Sequence, residues 1–330
     1  MRKKILHSAI LVLAMTFMIG CSSDDSANNG GGNPGGGGNP GGGGNTGGGD
    51  TGGGDTGGGD TAVYQYAQKI LVEDITSASC VACPIATLAT EEIANTEYAD
   101  KVISVAIHDD FDRDLVVDPF VLPNVIDLLR AVGLRGYPHI SWNRTPNIGG
   151  SEFQLFTPKR RVDNVNVPVF DLALFEKFHT KYNFFKASSP IGIKIESALT
   201  PSNGEVTISL KFGEDLNQNL KYVVYLIEDG LVFKQANGTT LHGNTSGGGR
   251  WENNFIHNQV VRATNNFLGE AIAAGESVTT NEFKTTSNLT YTIENLENVS
   301  VVVAILDKDG KVLNAQKAKA NTTQDYQIVE

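Results

Sequence analysis

Between Asn29 and Asp60 the chain is almost wholly Gly, broken by Asn, Pro, Thr and Asp in runs such as NPGGGG and DTGGG. Such a segment has no side chains to bury and cannot join a core, so the folded body must be built from the residues that follow it. Gly-rich chains behave as flexible coils, and about 5–6 Å times the square root of residue number gives this one a reach of roughly 30 Å. Gly does not recur strictly at every third position, which excludes a collagen helix. The tract also lacks Lys and opens no helix, so it does not read as a phosphate-binding loop.

Ahead of the tract, MRKKILHSAILVLAMTFMIGC combines a basic start, an apolar run from Ile5 to Ile19, and Gly20 immediately before Cys21. The run falls short of the ~20 residues a helix needs to cross hydrocarbon, and His7 interrupts it. Residues 1–20 are therefore expected to be a cleaved signal peptide. Met18-Ile19-Gly20-Cys21 resembles the lipobox of bacterial lipoproteins, whose cysteine carries acyl chains such as palmitate on its sulfur and its new amino group. That resemblance implies lipidation of Cys21, and several chains together hold a protein firmly on a bilayer. Ser22 resembles the residue found in lipoproteins sent to the outer membrane, and Ser23-Asp24-Asp25 looks like an acidic export tag; periplasmic and cell-surface faces both stay open. The formal charge of −11 becomes −14 once the three cations Arg2, Lys3 and Lys4 leave with residues 1–20. An acidic surface of this kind repels phosphate, so no nucleic-acid partner is expected.

From Tyr64 the composition turns globular. Lys69 to Ile75 is rich in strand formers, Pro84 to Asn95 in helix formers, and Val102 to His108 reads as a buried strand. Strand, helix, strand in that order predicts a parallel pair. A helical stretch around Val121 to Val132, a short strand at His139 to Trp142, a loop from Asn143 to Pro168 and an amphipathic helix from Val169 to Phe185 follow. Beyond Ser188, strands are predicted at Ile191 to Ala198, Glu205 to Phe212, Tyr222 to Ile227, Phe255 to Arg262, Val278 to Thr285 and Val299 to Leu306. Regular strands with turn signals predict a β-sandwich. The expected organisation is a signal peptide (1–20), lipidated Cys21 with its tether (21–62), an α/β domain (63–187) and an all-β sandwich domain (188–330).

With Cys21 committed to lipid, two cysteines remain, Cys80 and Cys83, separated by Val81 and Ala82. An envelope location is oxidising enough for them to pair. They stand between a predicted strand and a predicted helix, the setting in which CxxC reads as a redox motif. A structural zinc site needs four ligands, and no second CxxC or closely spaced pair of His completes one, so no metal is expected. Helix N-terminal amides and the dipole stabilise an anion, which makes Cys80 the expected nucleophile and Cys83 the resolving thiol. Pro84 suits the first helical turn, where a missing N–H costs little. A static disulfide stapling loop to helix is the competing reading.

ILVEDITSASCVACP, the strand-helix-strand order and Gly136-Tyr137-Pro138-His139 together resemble the thioredoxin superfamily. The resemblance implies a thioredoxin-like fold for residues 63–187 and places Asp74, six residues before Cys80, as the buried carboxylate that takes the resolving thiol's proton. Glu73 becomes its outward neighbour, and Pro138 the cis-proline presenting backbone to an extended substrate. More closely, KILVEDITSASCVACP, VAIHDD, GLRGYPHI, YLIEDGLV, FIHNQVVRA and VVVAILDKDGKVLNAQKAK resemble the outer membrane protein twenty-eight-related family of lipoproteins. That family joins a thioredoxin-like domain to a C-terminal β-rich domain, here expected to be an immunoglobulin-like sandwich.

Asp74 also reads as a solvated strand residue, and Pro138 as an ordinary strand-edge proline. The acidic run Asp109 to Asp118 lacks the Gly and Glu of a calcium loop and reads as a solvated loop. His108 and His139 are candidates to approach the cysteines; His257 and Arg262 are assigned to packing in the sandwich. The expected function is thiol-disulfide exchange on protein thiols or disulfides at the outer membrane, without a cofactor. The alternative is a non-enzymatic surface binding module.

Overall fold

The computed structural model describes residues 65–148, 155–162, 165–213, 216, 219–244, 248–272 and 282–329. The signal peptide, Cys21 and the Gly-rich tether lie outside the described residues. So does part of the predicted strand at Val278 to Thr285.

The first elements are β1 (Ile70–Thr76), α1 (Pro84–Ala94), β2 (Val102–His108), α2 (Val125–Ala131), β3 (His139–Trp142), β4 (Phe156–Val162), β5 (Val165–Phe170) and α3 (Leu172–Tyr182). There follow β6 (Ile191–Leu199), β7 (Asn203–Phe212), β8 (Lys221–Glu228), β9 (Leu231–Asn237), β10 (Arg250–His257), β11 (Val260–Thr264), β12 (Glu270–Ala271), β13 (Glu282–Thr290), β14 (Val299–Leu306), β15 (Val312–Lys319) and β16 (Thr323–Gln324). The fold is β-rich, with three α-helices among the described residues.

As the strand-helix-strand order requires, β1 and β2 run parallel, in register from Ile70↔Val102 to Thr76↔His108. β3 pairs antiparallel with β1, His139 opposite Ile75. The 187/188 boundary does not separate sheets. One sheet runs β15-β14-β8-β11-β2-β1-β3, and β11 bridges the two stretches by pairing with β8 on one side and β2 on the other. A second sheet, β13-β7-β6-β16, lies against the β8–β14 half through Ile193, Ile208, Leu210, Val224, Val301 and Val303. On the opposite face α2 inserts Val125, Leu128 and Leu129 over a core shared by both halves. α1 and α3 cover the remaining face of β1 and β3, where Trp142 packs between Phe178 and Phe184.

Several expectations need correction. The predicted loop from Asn143 to Pro168 contains β4 and part of β5, which pair with each other. The predicted strand Phe255 to Arg262 breaks into β10 and β11 at Gln259, whose φ of 59° interrupts extended backbone. β9 and β15 were not expected at all. α3 starts where Asp171 accepts the amides of Ala173 and Leu174 at 2.9 and 3.2 Å. Asp171→Ala should therefore cost about 1 kcal/mol in urea unfolding, the usual loss for a Asp N-cap.

Candidate functional site

β1 is flanked by strands on both sides and buried along its whole length. It ends at Thr76, and the chain turns through Ser77–Cys83 into α1. Cys80 and Cys83 form a disulfide with Cα atoms 5.4 Å apart. Cys83 N–H donates to Cys80 O at 3.3 Å, closing a turn, and the helix begins only at Pro84 with Cys83 at its N-cap. Cys83, not Cys80 as expected, therefore occupies the helix cap: Pro84 fixes the first helical residue, and the turn holds Cys80 before it. Cys80 is 3% exposed and Cys83 1%, whereas Val81 between them is 50% exposed.

Two elements hold this loop. From the loop after β2, buried Asp118 accepts Ala78 N–H at 2.7 Å through Oδ2 and Phe120 N–H at 3.0 Å through Oδ1. The same Oδ2 lies 2.7 Å from His108 Nδ1. Burial raises the Asp118 pKa, but the His108 charge and these hydrogen bonds outweigh it, leaving the carboxyl below its ordinary range. From β9, Ala236 N–H donates to Ala78 O at 2.8 Å, and from the residue just after the strand Gly238 N–H donates to Val81 O at 2.7 Å. The Gln235 amide donates to Ser77 O and Cys80 O at 3.1 and 2.9 Å.

The Tyr137–Pro138 peptide is cis. Because His139 stands opposite Ile75, Pro138 emerges at the end of the sheet from which the cysteine loop departs. The Tyr137 hydroxyl donates to Asp109, and its ring lies 4.6 Å from that of Phe111. Burial, then the Asp109 hydrogen bond, raises the phenol pKa.

Asp74 is buried on the α1 side of the sheet. With Thr76, Thr87, Glu91, His108 and His257 it lines a cavity of about 20 Å³, room for about one water. Glu73, expected to face outward, is completely buried. The sheet is covered on both faces, so alternation does not lead to solvent. Glu73 accepts Arg144 Nη2–H at 2.7 Å and the Tyr225 hydroxyl at 2.8 Å, joining β1 to β8. Arg144 takes a φ of 50°, a left-handed turn that brings its guanidinium inward. His257 also departs from expectation: it leaves the sandwich and lies 5.3 Å from His108, ring to ring. His139 is buried beside Pro138, and burial lowers its pKa despite the Glu73 charge. Gln235 was not foreseen, although Asp229-Gly230 before a β-branched and aromatic run is a strand signal.

The acidic loop spends its carboxylates separately: Asp109 on Tyr137, Asp110 on Arg113, Asp112 on Leu115 N–H and Asp118 on His108. Among the described residues no group of three or more His, Cys, Asp or Glu is placed to hold a metal ion.

The model of the family described as outer membrane protein Omp28 matches residues 130–324, more than half of the 330-residue chain. The chain belongs to the Omp28 family. Its place is thus the outer membrane, and among the described residues no helix is long and apolar enough to cross one. The Omp28 match takes in Pro138, Arg144, Tyr225, Gln235 and His257 but begins after Cys80 and Cys83, so membership does not rest on the cysteines. No curated protein matches the sequence. Among solved structures, HBP35 of Porphyromonas gingivalis is similar in fold, with a TM-score of 0.54 and 15% identity over 78% of this chain and 76% of that one.

Proposed function

We propose that this Omp28-family chain is a thioredoxin-like lipoprotein, anchored through acyl chains on Cys21, that exchanges thiols and disulfides on cysteine-bearing protein segments. The observation that carries the reading is the Cys80–Cys83 disulfide in the loop between β1 and α1, with Pro138 brought by β3 to the same end of the sheet. In this reading 63–187 is the thioredoxin-like part and 188–330 an immunoglobulin-like sandwich. A substrate thiolate attacks Cys80 Sγ, the disulfide breaks, and the electron pair leaves on Cys83. A second substrate thiol then resolves the mixed disulfide, so the substrate is oxidised by two electrons and the cysteine pair reduced. Asp74 takes and returns the proton of Cys83, and Pro138 presents backbone to the extended substrate.

Burial of both sulfurs favours a second reading, a binding module in which the disulfide only staples loop to helix. Thiol titration separates them. Cys80 is buried and outside the helix cap, so a reduced Cys80 whose thiolate absorbance nonetheless titrates below the free-cysteine value of ~8.5 supports exchange. The Cys83→Ser variant should retain a protein partner through Cys80 that reductant releases. A Cys80 titrating at or above that value, with nothing retained, would establish the stapling role.

A further inference from the structure

We propose that Gln235–Gly238 is a built-in occupant of the place where an extended polypeptide meets the cysteine loop, and that a partner segment reaches the disulfide by displacing it. The inference rests on the exchange reading and adds how access is governed.

The contacts have the form of strand recognition. Two backbone amides at alternate positions, Ala236 and Gly238, donate to the loop carbonyls of Ala78 and Val81. The Gln235 side chain fills the remaining gap by donating to Ser77 O and Cys80 O. Backbone donors carry no sequence requirement, so any extended chain can replace them. Gly238 is also fitted to its place: a Cβ there would lie 3.2 Å from Val81 Cβ, tighter than ordinary contact, so Val81 or the strand would have to give by a few tenths of an ångström.

The hairpin carrying this segment is a separable body. β9 and β10 pair with each other and join neither larger sheet. A two-stranded ribbon is marginal alone, so its seating depends on the loop contacts, on a small cluster of Leu231 and Phe233 with Phe120 and Val260, and on buried His257 of β10 against His108 and Phe120.

Around the loop lies an exposed apolar rim. Phe111 and Val117 are 53% and 62% exposed. Phe111 lies against Tyr137, and Val117 precedes the Asp118 that grips Ala78. Asp110, Asp112 and Asp114 stand in the same stretch with Arg113 alone opposing them. The fitting partner is an extended, apolar, cysteine-bearing segment flanked by Lys or Arg.

Reduction of the oxidised full chain by dithiothreitol tests the cover. One reagent thiolate attacks Cys80 Sγ and Cys83 leaves. The second reagent thiol then frees Cys80, and the two protons lost by the reagent end on the two cysteines. If opening gates access, the wild-type rate levels off at high reagent concentration. Gln235→Ala and Gly238→Val should then raise the rate at low reagent about tenfold, since weakening one or two hydrogen bonds shifts the opening equilibrium by that order. Deuterium exchange at the Ala236 amide should quicken alongside it. A wild-type rate that stays linear in reagent and is unchanged in both variants, with melting curves unaltered, overturns the cover. Exchange of the reduced proteins with insulin disulfides keeps the two ideas apart. Equal, rapid exchange in wild type and variants leaves the exchange reading standing and removes the cover. Faster reduction without exchange in any form leaves the cover and removes the exchange reading.

Discussion

Arg144→Ala is expected to destabilise the fold by about 3–5 kcal/mol, because it strands a fully buried carboxylate. Glu73 sits in the middle of β1 with no route to water, and Arg144 and Tyr225 are its hydrogen-bond donors. The guanidinium holds its proton above its ordinary range: burial opposes the charge, and Glu73 and then Tyr225 outweigh that cost. Removing the cation costs more than the ion pair contributes, since pairing in the interior barely offsets the desolvation of two ions. The double variant Glu73→Leu with Arg144→Met should consequently recover most of the loss. Urea unfolding of the two proteins and wild type checks this. Equal destabilisation in single and double variants would show that shape, not charge, governs the site.

Acidification from pH 7 to pH 4.5 should remove about 2 kcal/mol of stability through His257. Burial, with the neighbouring His108 charge, lowers the His257 pKa from 6.5 to about 3, against the opposing pull of Asp118. The folded protein keeps this ring neutral while the unfolded chain binds a proton once pH falls through 6.5. The unfolded state then holds more protons, so stability is complete above 6.5 and declines towards 3 by as much as about 1.4 kcal/mol per pH unit. His139, also lowered by burial, acts with the same sign. Asp118 does not contribute in this window. Its depressed pKa gives stability that is complete above the ordinary 3.8 and is lost only in stronger acid. Urea melts between pH 7 and 4.5 should show the slope in wild type and a much flatter profile in His257→Leu.

β2, α1 and β3 could be placed from sequence because each is bounded by strong local signals: a β-branched run, a proline at the first helical turn, and a proline before a short apolar strand. The cysteine loop and the Tyr137–Pro138 peptide were legible for the same local reason. β15 was not, because Val312–Lys319 interleaves Asn, Gln and Lys with small apolar residues and becomes a strand only beside β14. β9 failed similarly. Its Asp-Gly approach suggests a hairpin with β8, yet it pairs forward with β10. Glu73 was misplaced because the alternation rule assumes one wet face, and the residue that closes that face, Tyr225, is 152 positions away. Periodicity in one segment carries no record of such a partner.

The bridging position of β11 bears on where such a chain could be cut. Ala106 of β2 receives Val260 as its neighbour and donates its amide to Gln259 O at 2.8 Å. A gene ending near codon 187 would encode a protein with a raw strand edge on β2 and a Glu73–Arg144 pair stripped of the Tyr225 hydroxyl that covers it. Such an edge invites intermolecular pairing. The cysteine-bearing stretch and the strands after it are thus expected to fold together rather than apart.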